Sequence, residues 1–162
     1  MTQPRPVWAV FDCMVYLQAA ISQASPAEKL FEEVDRGNIS LFVSKTVLLE
    51  IRDVLTRPIV SEKYPHLTSD YVDIFLNRVL EKARFVRKVE NRFDFIRDPK
   101  DEKYLNLAIT VEADYVVTRD RDLLDLMTGI DDESKEFRQR FRRLKIVDPV
   151  EMLKTISENK TS

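Results

Sequence analysis

The sequence predicts an α/β fold, a mostly parallel sheet with helices on both faces. Three observations predict it. Short apolar runs near residues 7–11, 39–43, 83–86, 115–118 and 144–147 read as buried strands. Stretches of helical periodicity separate them, and strands that alternate with helices form parallel sheets covered on both sides. A chain of 162 residues, 44% hydrophobic and 33% charged, suits one domain with a sizeable core. The domain is expected to span residues 1–157, with a disordered tail over 158–162.

The elements follow in order. After the strand Val7–Phe11, a helix is expected from about Met14 to Ser22. Ser25-Pro26 starts a second helix, with Leu30, Phe31 and Val34 on one face and Gly37 as its stop. The strand Ile39–Val43 leads to Ser44, which can cap a helix with the stripe Val47, Leu48, Ile51, Val54 and Leu55. Arg57-Pro58 breaks that helix. Residues 59–83 read as helical again, with Tyr71, Ile74, Phe75, Val79 and Leu80 as the apolar set. Asp98-Pro99 opens a helix running to about Glu112, Asp120 opens one to Met127, and Pro149 opens the last. Residues 128–143 stand apart as polar and charged.

Composition removes several chemistries. Two glycines, Gly37 and Gly129, leave no glycine-rich phosphate loop. One cysteine and one histidine cannot build a zinc site alone, and a lone cysteine makes no internal disulfide. The expected compartment is therefore the cytoplasm. No apolar run approaches the roughly 20 residues that cross a bilayer, and the N-terminus lacks the apolar core of a secretory signal. No membrane partner is expected. A net charge of −2 does not advertise a nucleic-acid binder.

What remains is acidic. Asp12 ends the first strand run and Asp120 follows the fourth. Glu50 and Asp101 lie on helical stretches. Each has an ordinary reading: Asp12 and Asp120 as helix caps, Asp101 as a first-turn acid, Glu50 as half of a surface ion pair. Asp101 nevertheless shares a helical face with Leu105 and Ala108, where a carboxylate wants a partner. In open α/β sheets chemistry collects beyond the carboxyl ends of the strands. Carboxylates gathered there repel by about 3 kcal/mol per pair at about 5 Å and an effective dielectric near 20. A hard divalent cation resolves that repulsion. Carboxylates without histidine suit Mg2+ or Mn2+, and two such ions can serve phosphodiester hydrolysis.

Several pieces carry a resemblance: Val10-Phe11-Asp12 with Val15, the segment Ser44 to Pro58, and Asp98-Pro99-Lys100-Asp101 with Tyr104, Leu105, Leu107 and Ala108. Ala113 to Leu124 and Lys145 to Pro149 complete the set. From Val7 to about Leu153 the chain resembles a PIN domain, and most of all the bacterial and archaeal branch of toxins from toxin–antitoxin pairs. The resemblance implies a three-layer fold and a metal-dependent ribonuclease acting on single-stranded RNA. It places the catalytic and metal-binding quartet on Asp12, Glu50, Asp101 and Asp120, with Asp122 as accessory metal acid and Thr118 as a supporting hydroxyl. It also implies a cognate antitoxin and a homodimer as partners.

Two departures stand out. Met14 occupies a position where the family usually has an asparagine, and a thioether does not bind a hard cation. The stretch 128–143 is longer than usual, and its Arg138, Arg142 and Arg143 are candidate substrate contacts against a plain solvated-face reading. Two other functions are weighed. A degenerate PIN module would bind RNA or protein without cutting. A haloacid-dehalogenase-type phosphatase would need an acid at Met14 to protonate its leaving group.

Overall fold

Side-chain caps set most helix starts. Ser25 Oγ accepts the Glu28 N–H at 3.2 Å and Ser44 Oγ accepts the Val47 N–H at 3.2 Å. Asp12 and Asp120 cap in the same way. Gly37, at φ +82°, closes the second helix in a conformation that favours glycine.

The computed structural model describes residues 5–161. Met1-Thr2-Gln3-Pro4 and the tail residue Ser162 lie outside the described residues. The strands are β1 (Val7–Phe11), β2 (Ile39–Ser44), β3 (Arg84–Val86), β4 (Tyr115–Val117) and β5 (Lys145–Val147). The first helices are α1 (Cys13–Ile21), α2 (Pro26–Asp35), α3 (Lys45–Leu55), α4 (Pro58–Lys63) and α5 (Ser69–Lys82). After β3 come α6 (Glu102–Val111), α7 (Arg121–Leu124), α8 (Asp132–Arg140) and α9 (Pro149–Thr161). Short 3-10 turns at Pro99–Asp101 and Asp125–Met127 precede α6 and α8.

The strands form one parallel sheet in the order β3-β2-β1-β4-β5. The chain starts at the centre, builds outward to β3, then returns to the other side of β1. The order therefore reverses between β1 and β4, and their carboxyl ends open a crevice of the kind that holds ligands. The three-layer α/β fold is as expected. The core fills both sheet faces: Phe11, Tyr16, Phe31 and Phe75 pack in a chain of tilted and edge-on rings. Among the described residues no helix is long and apolar enough to cross a membrane.

Several boundaries differ from expectation. Residues 59–83 make two helices, not one, because the chain turns at Pro65 and restarts with Thr68 as cap. The buried face of α5 is Val72, Phe75, Leu76 and Val79, while Ile74 is 68% and Leu80 45% exposed. The helix at Asp98 begins as a 3-10 turn, so Asp101 sits at the start of α6 rather than one turn inside it. α9 continues to Thr161, past the Glu158 boundary given to the tail, and Lys160 Nζ reaches Glu33 Oε2 at 3.0 Å.

The stretch 128–143 folds as α8 and the turns around it. Phe137 is fully buried against Phe93 and Phe141. The segment between β3 and the Pro99 turn is pinned by Asn106, whose Oδ1 accepts the Arg92 and Phe93 N–H groups at 2.7 and 2.9 Å. Glu102 and Glu133 accept the next amides, Phe95 and Ile96. This anchored segment delivers Asp98 to the sheet edge.

Candidate functional site

Asp12 is 2% exposed at the end of β1. Its backbone N–H extends the ladder to Val117 O at 3.1 Å. One carboxylate oxygen accepts the Met14 and Val15 N–H groups, each at 3.1 Å. The other accepts the Thr118 hydroxyl across the crevice. Thr118 Oγ1 in turn accepts the Asp120 N–H at 2.9 Å. Burial still dominates, and it raises the Asp12 carboxyl to about 6 despite these donors.

Asp101 faces the same crevice from the start of α6. Its carboxylate, with those of Asp98 and Asp120, offers oxygens that all lie within 4.8 Å of one another. Desolvation raises Asp101 to about 8, with the charges of Asp120, Asp98 and Asp12 adding to the shift. Asp101 Oδ2 is buried without a hydrogen-bond partner; among the described residues Tyr16 Oη is the other such atom. Asp120 is held by donors: its Oδ1 accepts the Asp122 N–H at 2.7 Å. That amide is the contribution of Asp122 seen here.

Glu50 meets different company. Tyr104 Oη donates to Glu50 Oε1 at 2.6 Å and accepts the Cys13 N–H at 3.2 Å. Lys103 forms an ion pair with Glu50 Oε2. Glu50 is thus linked to the first turn of α1, next to Asp12, through a buried tyrosine hydroxyl rather than by direct contact with the other acids. Burial lowers the Lys103 ammonium and raises the Tyr104 phenol.

The sequence-expected acids therefore divide. Asp101 and Asp120 come together, Asp12 joins them through Thr118 and through its field, and Glu50 stands behind a Tyr104 relay. Thr118 bridges the ends of the two strands. Sequence reasoning passed over Asp98, read only as a cap, although Asp98-Pro99-Lys100-Asp101 puts two acids on one tight turn. It gave no role to Lys103, and it named Tyr104 only as part of a motif; both follow Asp101 within a single helical turn.

The three arginines proposed for substrate are not at the acids. Arg138 donates to Leu126 O and Gly129 O, each at 2.7 Å. Arg142 and Arg143 precede β5, whose Lys145 pairs with Tyr115 at the amino end of β4. They sit at the end of the sheet opposite the crevice.

The arrangement can hold a hard cation on oxygen ligands. Two comparisons with known proteins bear on it. No curated protein matches the chain. The family description "PIN domain" matches residues 9–122, a span that holds Asp12, Glu50, Asp98, Asp101, Thr118 and Asp120. PIN domains are generally nucleases with acidic metal-binding residues, and they commonly bind nucleic acid. With the parallel sheet, the acids at its switch point and a match over most of its length, this chain belongs to the PIN domain family.

Proposed function

We propose that this PIN domain is a divalent-metal-dependent endoribonuclease of single-stranded RNA. The observation that carries the reading is Asp101 Oδ2, a buried carboxylate oxygen without a partner beside two further carboxylates. A buried acceptor in that position costs free energy unless something positive meets it. The donor set is all oxygen, which suits Mg2+ or Mn2+. Asp12, Asp101 and Asp120 would hold the ion, with Glu50 as the fourth acid and Asp122 as an accessory one. A bound ion would supply the Lewis acidity that phosphodiester cleavage needs.

The chain's own residues prepare the site. Thr118 fixes one oxygen of Asp12 while the α1 amides fix the other. The Asp122 and Leu123 amides orient Asp120. Tyr104 and Lys103 hold Glu50 in readiness. Asp101 presents a buried oxygen without a hydrogen-bond partner.

The finer role we assign is the toxin of a toxin–antitoxin pair, active in the cytoplasm. It rests on the ordered PIN-toxin motifs and on the lone cysteine. A small protein encoded beside this chain should relieve growth arrest when both are expressed. If expression of the chain alone leaves growth unaffected while purified protein cleaves RNA, the toxin role fails and the nuclease role stands.

Met14 and the Lys103–Glu50 ion pair favour one alternative, a PIN module that binds without cutting. Asp101→Asn separates the two. It keeps the shape and removes one charge from the cluster. Under the nuclease reading it abolishes magnesium-dependent cleavage of single-stranded RNA and weakens manganese binding by at least about tenfold, with the fold retained. Equal cleavage by the variant would move the activity elsewhere. Absence of both cleavage and manganese binding in the unaltered protein would favour the binding module.

A further inference from the structure

A cluster of arginines lies at the amino ends of the strands. A cleft of ≈ 540 Å³ opens there between the end of α6 and the end of α8. Its rim carries Arg5, Arg92, Arg140, Arg142 and Arg143, against the acids Glu112 and Asp114. Its floor is apolar, with Ala108, Ile109, Ala113 and Leu144 buried. A second cleft of ≈ 480 Å³ adjoins it and adds Lys145.

Two bland accounts cover only part of this. Arginines favour helix C-termini, and Arg138 and Arg140 sit in the last turn of α8 with bonds to backbone carbonyls. Asp114 is engaged, accepting the Trp8 N–H at 2.9 Å and facing Arg5 at 4.0 Å. Neither account reaches Arg142 and Arg143. Both are exposed, and their side chains have no hydrogen bond or ion pair among the described residues. Arg140 is pre-set differently: its guanidinium lies 5.0 Å from the Phe141 ring centre and 3.7 Å from Glu136 Oε1. Arginine on an aromatic wall above an apolar floor matches a nucleotide, with phosphates on the rim and a base face below. An acidic peptide would use the rim but leave the floor idle.

We infer that this cleft binds the backbone of single-stranded nucleic acid, as an anchoring site at the opposite end of the sheet from the acids. It rests on the RNA-directed reading above but not on cleavage. Arg140, Arg142 and Arg143 lie outside the family match, which ends at residue 122. A flexible strand held there can pass around the β5 edge to the acids.

The test uses the full chain with chelator present, so that binding is read without cleavage. A labelled oligouridylate of about 12 nucleotides is titrated over a range of salt, and each neutralised phosphate contributes about 0.7 to the logarithmic slope. Arg142→Glu with Arg143→Glu should bind at least about tenfold more weakly at low salt and lose about 1.4 from the slope. The lysine pair Arg142→Lys with Arg143→Lys should keep most of both. Unchanged melting temperature and unchanged manganese affinity would show that the fold and the acids are intact. Should the glutamate pair fail to fold, the glutamine pair removes the same two phosphate contacts and should lose the same about 1.4 from the slope. Unaltered affinity and slope in the variants overturns the inference, as does tighter binding of polyglutamate than of oligouridylate by the unaltered protein. In the unaltered protein, absence of magnesium-dependent cleavage together with intact oligouridylate binding would sink the nuclease reading and leave this one standing.

Discussion

Asp12 and Asp120 show how one residue can cap a helix and still face the crevice. Asp12 caps α1 and Asp120 caps α7, so the ordinary reading of each is true. The same donors that make them caps also aim their carboxylates into the crevice. This geometry has a thermodynamic signature. Both Asp12 and Asp101 are raised from 3.8, to about 6 and about 8. Between those limits the folded protein holds protons that the unfolded chain has released. Stability of the metal-free protein should therefore fall as pH rises from about 4 to about 8. Melting temperatures measured in chelator at several pH values check it; a flat or rising profile would contradict it. Manganese should reverse the trend at high pH, by about 2.7 kcal/mol at a hundredfold excess over its Kd. Met14 offers a second residue-scale test. It is 45% exposed, so Met14→Asn loses little packing, within about 1 kcal/mol. The added amide beside Asp12 should tighten manganese binding, and titration calorimetry reads that directly. No gain would mean that the Thr118 hydroxyl already fills the role of the missing amide.

At the level of elements, α8 separates structural cations from free ones. Arg138 closes the carbonyls of Leu126 and Gly129. Gly129 itself has no room for a Cβ, which would come within 2.5 Å of Ser134 Oγ. Arg138→Ala should cost about 1–3 kcal/mol by leaving those carbonyls unmet. Arg142→Ala should change stability by less than about 0.5 kcal/mol. Denaturant titration of both variants decides the point; equal losses would erase the distinction. The sequence could not make it, because charge runs look alike until tertiary partners are known. The same limit explains Lys103 and Tyr104, whose meaning comes from Glu50 more than fifty residues earlier. It also explains α5, where Ile74 and Leu80 fit helical spacing but a rotated set, Val72, Phe75, Leu76 and Val79, meets the core. Apolar runs and caps were legible because they act locally. Asp12, Asp101 and Asp120 were legible because strand ends and helix starts can be read from such local signals. Asp98 was hidden by its own good cap.

Across the whole molecule, the sheet has two chemical ends. Acids gather where β1 and β4 finish, and arginines gather where β4 and β5 begin. The near-zero net charge of −2 conceals this polarity, since the two ends nearly cancel in the sum. Composition alone therefore understates how strongly such a chain can engage a polyanion.

The bond from Thr118 to Asp12 joins residues separated by 106 positions in the chain. A contact of that span requires the long loop between its partners to close. During synthesis, β1, β2 and β3 can pair before β4 has left the ribosome. Until then Asp12 has no Thr118, and neither Asp120 nor its field exists. The acidic crevice therefore arises only when the returning strand docks beside the first.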